Sequence, residues 1–467
     1  MPRHSGTDLN EGPVTGQLAR VSAPMSVGIF SVLAIGLADA YFLARAGDAE
    51  LAAVGFVYPV IVAVSAVSVG LSAGANTVLS QARGAHRRSG TVGRLALHAA
   101  LLGLAVGLCI ALLFGLVAPA LFTALGASGQ VHDNIMAYLP YWLASFPILV
   151  VTMVLNAAFR AAGNTITAAG TMVAAALLNI ALTPVLIFGY GPAPEMGMAG
   201  AGLGTLIARG AAVVLVIILA LRAGMVRIGA HPLRDIAGSV RKIVGTALPA
   251  ARSRAINPAG MAVVTAAVAT LGDAAVAGFG AAARVQAIAL VPFFALASGL
   301  GPIVGQAWGA QDAPRARTAM RGSALFCLGY GCVLGLCLIL FAEPLSRIMT
   351  AGSDAARYTA DYLRFVGWTL GAYGLVVAAN AAMTGRSRAI WAMGLSMARI
   401  GLIYIPCAWS GVWLFGWPGI LAAAVLANLT AMWGALVATR ANGIGPSDTA
   451  LVRTPAERLA PHRDAAP

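Results

Sequence analysis

Asp39 is a lone carboxylate in a long apolar run, flanked by Leu37, Ala38, Tyr41 and Phe42. A charge at membrane depth is costly and by default marks an ion or proton path. Desolvation favours the neutral acid, so such a group can take up and release a proton. The competing reading is an interfacial Asp touching water, because the polar stretch Arg45–Glu50 begins about one and a half turns later. Further along, Ser65, Ser68, Ser72, Asn76 and Ser80 recur at three- and four-residue spacing and share one helical face. A stripe of this kind either lines an aqueous path or allows helices to pack closely. Arg284 is an odd charge in a later run, placed either as a counter-charge in a cleft or reaching for the headgroups. Arg252 and Arg254 either face a watery vestibule or precede the true start of their helix.

Covalent, metal and nucleotide chemistry find little support. The six histidines are scattered, mostly in tails and loops, and suggest no metal cluster. Cys109, Cys327, Cys332, Cys337 and Cys407 all fall in apolar runs, and the middle three recur every five residues, which spreads them around a helix. Buried free thiols are expected there. Gly200, Gly202 and Gly204 echo a phosphate-binding loop but open an apolar run with no strand before it. The chain therefore reads as having no enzymatic activity and no cofactor.

The elements that hold these residues are membrane spans. Of 467 residues, 59% are hydrophobic and 10% charged, against roughly 25% charged in a soluble domain. Twelve runs approach the ~20 residues needed to cross a bilayer: 20–44, 53–80, 95–122, 136–159, 166–189, 198–221, 243–270, 277–306, 319–341, 362–384, 390–415 and 418–439. The polar stretches 1–17 and 442–467 read as short tails. No cleavable signal peptide is expected, since the first run is long and carries Asp39.

The net charge of +14 is distributed by topology. Arg83, Arg87, Arg88 and Arg94 follow the second run, Arg160 the fourth, and Arg222, Arg227, Arg234, Arg241 and Lys242 the sixth. Arg315, Arg317 and Arg321 follow the eighth, and Arg386 and Arg388 the tenth. The alternate connections carry few basic residues, and Arg347, Arg357 and Arg364 are interleaved there with the loop acids Glu343, Asp354 and Asp361. Positive charge gathers on the cytoplasmic side, which places both termini in the cytoplasm of an inner-membrane protein and removes nucleic acid as a partner.

The second half repeats the first at an offset of 225 residues. Pro24 answers Pro249, Gly47-Asp48-Ala49 answers Gly272-Asp273-Ala274, and Gln81-Ala82-Arg83-Gly84-Ala85 answers Gln306-Ala307-Trp308-Gly309-Ala310. An even number of spans per repeat leaves both copies in one orientation, a parallel arrangement that secondary transporters use. The expectation is an all-α integral membrane protein of twelve transmembrane helices in two six-helix lobes related by a parallel pseudo-two-fold. The lobes run over 20–222 and 243–440, with a cytoplasmic tail over 1–19, an exposed linker over 223–242 and a second tail over 441–467. Pro24, Pro184, Pro249, Pro258, Pro302 and Pro406 interrupt the spans and are candidate hinges.

At these motifs the chain resembles the multidrug and toxic compound extrusion (MATE) family, nearest to its bacterial DNA-damage-inducible branch. The resemblance rests on Ala38-Asp39-Ala40-Tyr41-Phe42 through Gly47-Asp48-Ala49-Glu50-Leu51-Ala52-Ala53, and on the paired stretches Gly74 to Ala85 and Gly299 to Ala310. Asn179-Ile180-Ala181-Leu182-Thr183-Pro184, with Ile187-Phe188-Gly189, resembles the family's fifth helix. The match covers about residues 18 to 440. It implies a central cleft opening alternately to either side, with Asp39 in a cation-coupling site beside Asn156, Asn179 and Thr205.

Thr183, on the same helical face as Asn179, stands where many relatives carry a second Asp. One carboxylate suits a proton better than sodium. Asn257 and Tyr373 occupy positions that are acidic in some relatives. The resemblance implies multidrug efflux of amphipathic, cationic compounds by proton antiport, from a monomer in the lipid bilayer. Phe56, Phe146, Met153 and Met172 are candidates for an adaptable apolar pocket, with Asn76 and Arg284 beside it. The rival within the superfamily is a flippase for lipid-linked saccharides, which would need basic residues in its cavity; only Arg284, Arg252, Arg254 and Arg399 are available.

Overall fold

The computed structural model describes residues 9–86, 89–191, 194–226 and 231–446. Among them there are helices and connections and no strand, as expected where backbone groups have no water to bind and must be satisfied within each segment. The first lobe is α1 (Val14–Ala46), α2 (Asp48–Gly84), α3 (Ser89–Ala124), α4 (Gly129–Ala161), α5 (Thr165–Phe188) and α6 (Gly197–Arg222). The second is α7 (Ile236–Ala269), α8 (Asp273–Ala289), α9 (Val291–Gly309), α10 (Ala313–Leu340), α11 (Ala342–Thr350), α12 (Ala355–Gly367), α13 (Leu370–Gly385), α14 (Ala389–Met397), α15 (Ile405–Phe415) and α16 (Trp417–Ala441).

Ten helical stretches are long and apolar enough to span a bilayer, and the pair α12 and α13, bent by 61°, makes an eleventh. The remaining position belongs to α7, 34 residues long and interrupted by Arg252 and Arg254. The expected vestibule charges therefore lie within the helix, and the reading in which α7 starts after them is corrected.

The second lobe is the less regular one. Pro292 opens α9 after a break at Leu290. Between α14 and α15 the chain widens into a π-helix, Ala398–Tyr404. Pro406 follows after Ile405, and its ring lacks an N–H and collides with the carbonyl four residues back, which favours the wider turn. At the α12–α13 bend, Thr369 Oγ1 donates to Val366 O (2.7 Å) and accepts from Asn428 Nδ2 of α16 (2.7 Å).

Other expectations change as well. Residues 9–13 are docked against the second lobe: Leu9 is buried, its N–H donates to Gln306 Oε1 (3.2 Å), and Arg315 Nε donates to Leu9 O (2.8 Å). The linker is strapped to α3 by buried His98, whose Nε2 donates to Pro232 O (2.7 Å) while its Nδ1 lies 2.9 Å from Ser239 Oγ. Glu343 and Asp361 sit in α11 and α12, not in loops. Cys109, Cys332 and Cys337 are exposed on the outer surface; of the thiols only Cys327 is buried. Arg87, Arg88, Arg227 and residues 447–467 fall outside the described residues.

The lobes meet through α1 and α2 on one side and α7, α9 and α13 on the other. Among the described residues their hydrogen bonds all lie at the end that carries both termini. Thr77 donates to Thr384 O, Gln81 to Gly385 O and Gln306 to Ala161 O. Asp39 lies toward the opposite end, about 10 Å along α1 from its last residue.

Candidate functional site

Asp39 comes from the second half of α1 and is partly buried, with its Oδ1 enclosed and without a hydrogen-bond partner. Thr183 of α5 faces its carboxyl group, outside ordinary hydrogen-bond geometry, and the Thr183 hydroxyl is likewise buried and unpartnered. One turn earlier on α5, Asn179 Nδ2 donates to Thr205 Oγ1 of α6 (3.3 Å), which leaves Asn179 Oδ1 as a third buried, unpartnered oxygen. Thr205 itself donates to Ala201 O (3.0 Å). Gly204 lets α6 approach closely: a side chain there would press on the Thr183 hydroxyl. Two helices, α1 and α5, thus present three buried oxygens without a hydrogen-bond partner, beside Thr205 of α6.

Arg209 and Tyr138, which the sequence reading passed over, complete this cluster. Arg209 of α6 lies within electrostatic reach of both Asp39 and Tyr138, and its Nη1 donates to buried Ser145 Oγ of α4 (2.7 Å). It forms no ion pair: among the described residues the ion pairs are His132–Asp133, Arg347–Glu343 and Arg364–Glu343. The signal for Arg209 was the one that marked Asp39, a single charge inside an apolar run.

Asn156 is placed elsewhere. Its Oδ1 accepts from Thr171 Oγ1 (2.9 Å), and Thr171 is about 12 Å along α5 from Asn179. Asn156 therefore ties α4 to α5, outside the Asp39 cluster. The polar stripe of α2 also resolves into packing against α4: Ser72 Oγ donates to Met153 O (3.0 Å) and Asn76 Nδ2 to Ala157 O (3.3 Å). Arg160, expected in a loop, belongs to α4 and donates to Ser72 Oγ (2.9 Å).

The apolar pocket is not assembled. Phe146 is fully buried beside Trp142, Phe56 packs in a second cluster around Phe122, and Met172 in a third around Phe159. Met153 is half-buried. Their helices turn them to different neighbours, a property that residue type does not reveal. Arg284 is exposed on α8 and makes no hydrogen bond or ion pair to either cluster.

The second lobe has its own polar centre. Asn257 Nδ2 of α7 donates to Tyr373 Oη of α13 (2.9 Å), and Arg399 Nη1 of the π segment donates to Asn257 Oδ1 (3.1 Å). Arg399 Nη2 donates to Asn428 Oδ1 (3.0 Å), and the guanidinium stacks 4.2 Å from the Tyr373 ring centroid. Arg254, on the same face of α7 as Asn257, lies within electrostatic reach of Tyr373. No group of three or more His, Cys, Asp or Glu converges among the described residues.

A model of the MatE family matches residues 24–185 and again 249–410, two copies separated by the repeat offset read from the motifs. The chain is 31% identical over 423 residues to the FAD transporter of Shewanella oneidensis, covering 90% of this chain and 93% of that one. It is 24% identical to the probable multidrug resistance protein NorM of Thermotoga maritima, over 85% of this chain and 88% of the relative. Among solved structures, the Vibrio cholerae MATE transporter VcmN in its bent form superposes with a TM-score of 0.86 at 28% identity, covering 92% of this chain and 97% of that chain. With the family pattern matched in both halves and the two-lobed helical architecture that solved relatives share, the chain belongs to the MATE family of membrane transporters.

Proposed function

We propose that the chain is a cation-coupled antiporter of the bacterial inner membrane, acting as a monomer, with the coupling site at Asp39, Asn179, Thr183 and Thr205. The observation that carries this reading is the set of three buried oxygens, Asp39 Oδ1, Asn179 Oδ1 and Thr183 Oγ1, that have no hydrogen-bond partner. A proton or a cation is what such oxygens take. Proton coupling is favoured over sodium because Asp39 is the one carboxylate in the cluster. Arg209 supplies a nearby positive charge for the deprotonated state, so the cluster does not hold a bare anion when the proton leaves.

The end carrying both termini is also the end rich in Arg and Lys, which makes it cytoplasmic by the positive-inside rule. Since the lobes are hydrogen-bonded there, the cleft faces outward in this conformation. Asp39, nearer the open end, then takes its proton from outside; closing the cleft and opening the cytoplasmic end releases it inward while cargo moves out.

For the cargo, amphipathic cations follow the multidrug relatives, among them the multidrug export protein MepA of Staphylococcus aureus, 28% identical over 46% of that protein. A second reading, export of a flavin dinucleotide, follows the 31% identity to the Shewanella FAD transporter. The polar centre of the second lobe favours the latter, because its charges are positive.

The test is uptake into inverted vesicles of a cationic dye and of FAD, wild type against Asp39→Asn, under an imposed proton or sodium gradient. Proton-driven uptake of one cargo, lost in Asp39→Asn, supports the reading. Equal uptake by wild type and variant moves coupling away from Asp39.

A further inference from the structure

We propose that Arg254 and Arg399 form a subsite for the pyrophosphate of an organic anion, and that a pyrophosphate-bridged dinucleotide is the cargo class it recognises. This deepens the transport reading above and rests on it.

Arg399 is 8% exposed. Everything it touches is neutral: two amide oxygens, Asn257 Oδ1 and Asn428 Oδ1, and the ring of Tyr373. Its Nε–H is buried without a partner. The amides are themselves held, Asn257 by Tyr373 Oη and Asn428 by Thr369 Oγ1. The guanidinium is therefore fixed in direction while its charge is left unneutralised. Arg254, exposed on α7 about one turn before Asn257, adds a second positive charge beside the same tyrosine, and neither arginine is ion-paired among the described residues. Apart from Asp361 in α12, the spans of this lobe contain no carboxylate; its other acids are Asp273 at the start of α8, Asp312 before α10, Glu343 in α11 and Asp354 before α12.

Uncompensated buried charge is strongly unfavourable, and removing a partner from such a group costs more than never burying it. Arg399, buried and held open beside an aromatic ring that exposed Arg254 also reaches, thus describes a site that a ligand completes. The planar guanidinium fork matches phosphate oxygens in geometry and charge. A pyrophosphate diester carries two negative charges, one for each arginine, whereas a halide or a carboxylate neutralises only one. A cationic drug is repelled. Because Asp39 lies in the other lobe, anion and proton occupy separate sites, and coupling acts through the conformational change, without direct competition.

The experiment is equilibrium binding to the purified full-length protein in detergent, using FAD and riboflavin, which share a ring system but differ in the phosphates. Variants are Arg254→Gln, Arg399→Lys, which keeps the charge while losing the fork, and Arg357→Gln, at an exposed position of α12, as a charge-matched control. FAD is expected to bind about tenfold or more tightly than riboflavin, in line with charged hydrogen bonds, and to be displaced by inorganic pyrophosphate. Arg254→Gln and Arg399→Lys should each erase most of that preference and leave riboflavin binding and the control unchanged.

Equal binding of FAD and riboflavin by wild type, or a parallel loss of both ligands in Arg254→Gln, would overturn the subsite. A lipid headgroup is the other source of phosphate. If phosphatidylglycerol displaces pyrophosphate and Arg254→Gln abolishes lipid association while sparing FAD, the dinucleotide assignment is overturned. Equilibrium binding needs no gradient, so a failure of Asp39 coupling would leave the FAD preference intact and show itself only in transport.

Discussion

Gln81 and Gln306 are repeat equivalents that fasten the two lobes to one another reciprocally. Gln81 Nε2 at the end of α2 donates to Gly385 O of the second lobe (2.8 Å), and Gln306 Nε2 at the end of α9 donates to Ala161 O of the first (2.7 Å). The acceptors close α13 and α4, which are themselves equivalent helices. Gly84 and Gly309 permit the crossing, because a side chain at either would collide with the backbone of Gln306 or Gln81 respectively.

The latch predicts a conformational phenotype. Each neutral hydrogen bond is worth about 1 kcal/mol, so Gln81→Ala and Gln306→Ala should each shift the equilibrium about fivefold toward opening at the termini-bearing end. Spin-label distances across that end, measured on single and double variants, check this. No change in the double variant would show that packing alone holds the end closed.

Overpacking at the same crossing should be more severe. Gly309→Val introduces bulk against the Gln81 backbone, and overpacking typically costs about 1–3 kcal/mol. The expected outcome is a protein that is inserted and folded yet cannot close this end. Labelling of an introduced cysteine in the cleft from the termini-bearing side would rise, while gradient-driven transport falls.

The single carboxylate at the proposed coupling site predicts ion preference. Thr183→Asp adds a second carboxylate facing Asp39 and should allow sodium to drive or stimulate transport that, under the proposed function, responds to protons in wild type. Transport under opposed proton and sodium gradients measures this. An unchanged ion response would place the choice of ion outside these two residues.

Arg209 is expected to matter for the coupling cycle more than for folding. Arg209→Gln keeps a donor for Ser145 but removes the charge near Asp39 and should slow proton-driven transport, with Arg209→Lys restoring part of it. Counterflow without a gradient separates the two roles: it should survive in Arg209→Gln if the defect lies in coupling.

Asn428 supports both Arg399 and the α12–α13 bend. Asn428→Leu leaves Arg399 Nη2 unpaired in a buried setting, a loss of about 1–3 kcal/mol, and removes the donor to Thr369 Oγ1, which keeps its bond to Val366 O. The melting temperature in detergent should fall, and Asn428→Asp, which retains an acceptor and neutralises Arg399, should recover stability and lose FAD preference.

Architecture was legible along the chain because it depends on runs and offsets. Apolar length dictates spans, and motif spacing dictates the repeat that the family match at 24–185 and 249–410 reproduces. Asp39 was legible for a related reason, since a lone charge in an apolar run stands out wherever it points. Thr183 and Asn179 came from the family resemblance, and helical periodicity added that they share one face. Periodicity does not name the neighbour across that face. For that reason Ser72 and Asn76 proved to be packing contacts with α4, Phe146 proved to be core, and Asn156 paired with Thr171 and not with Asp39. Arg254 and Arg399 are 145 residues apart and share a centre only because α7 runs through Arg252 and because Pro406 forces the π turn before it. The sequence by itself determined a duplicated membrane bundle with one acid at depth. Which polar groups converge, and which are left without partners, was decided by helix rotation and breaks, properties of the packed lobes that no single segment encodes.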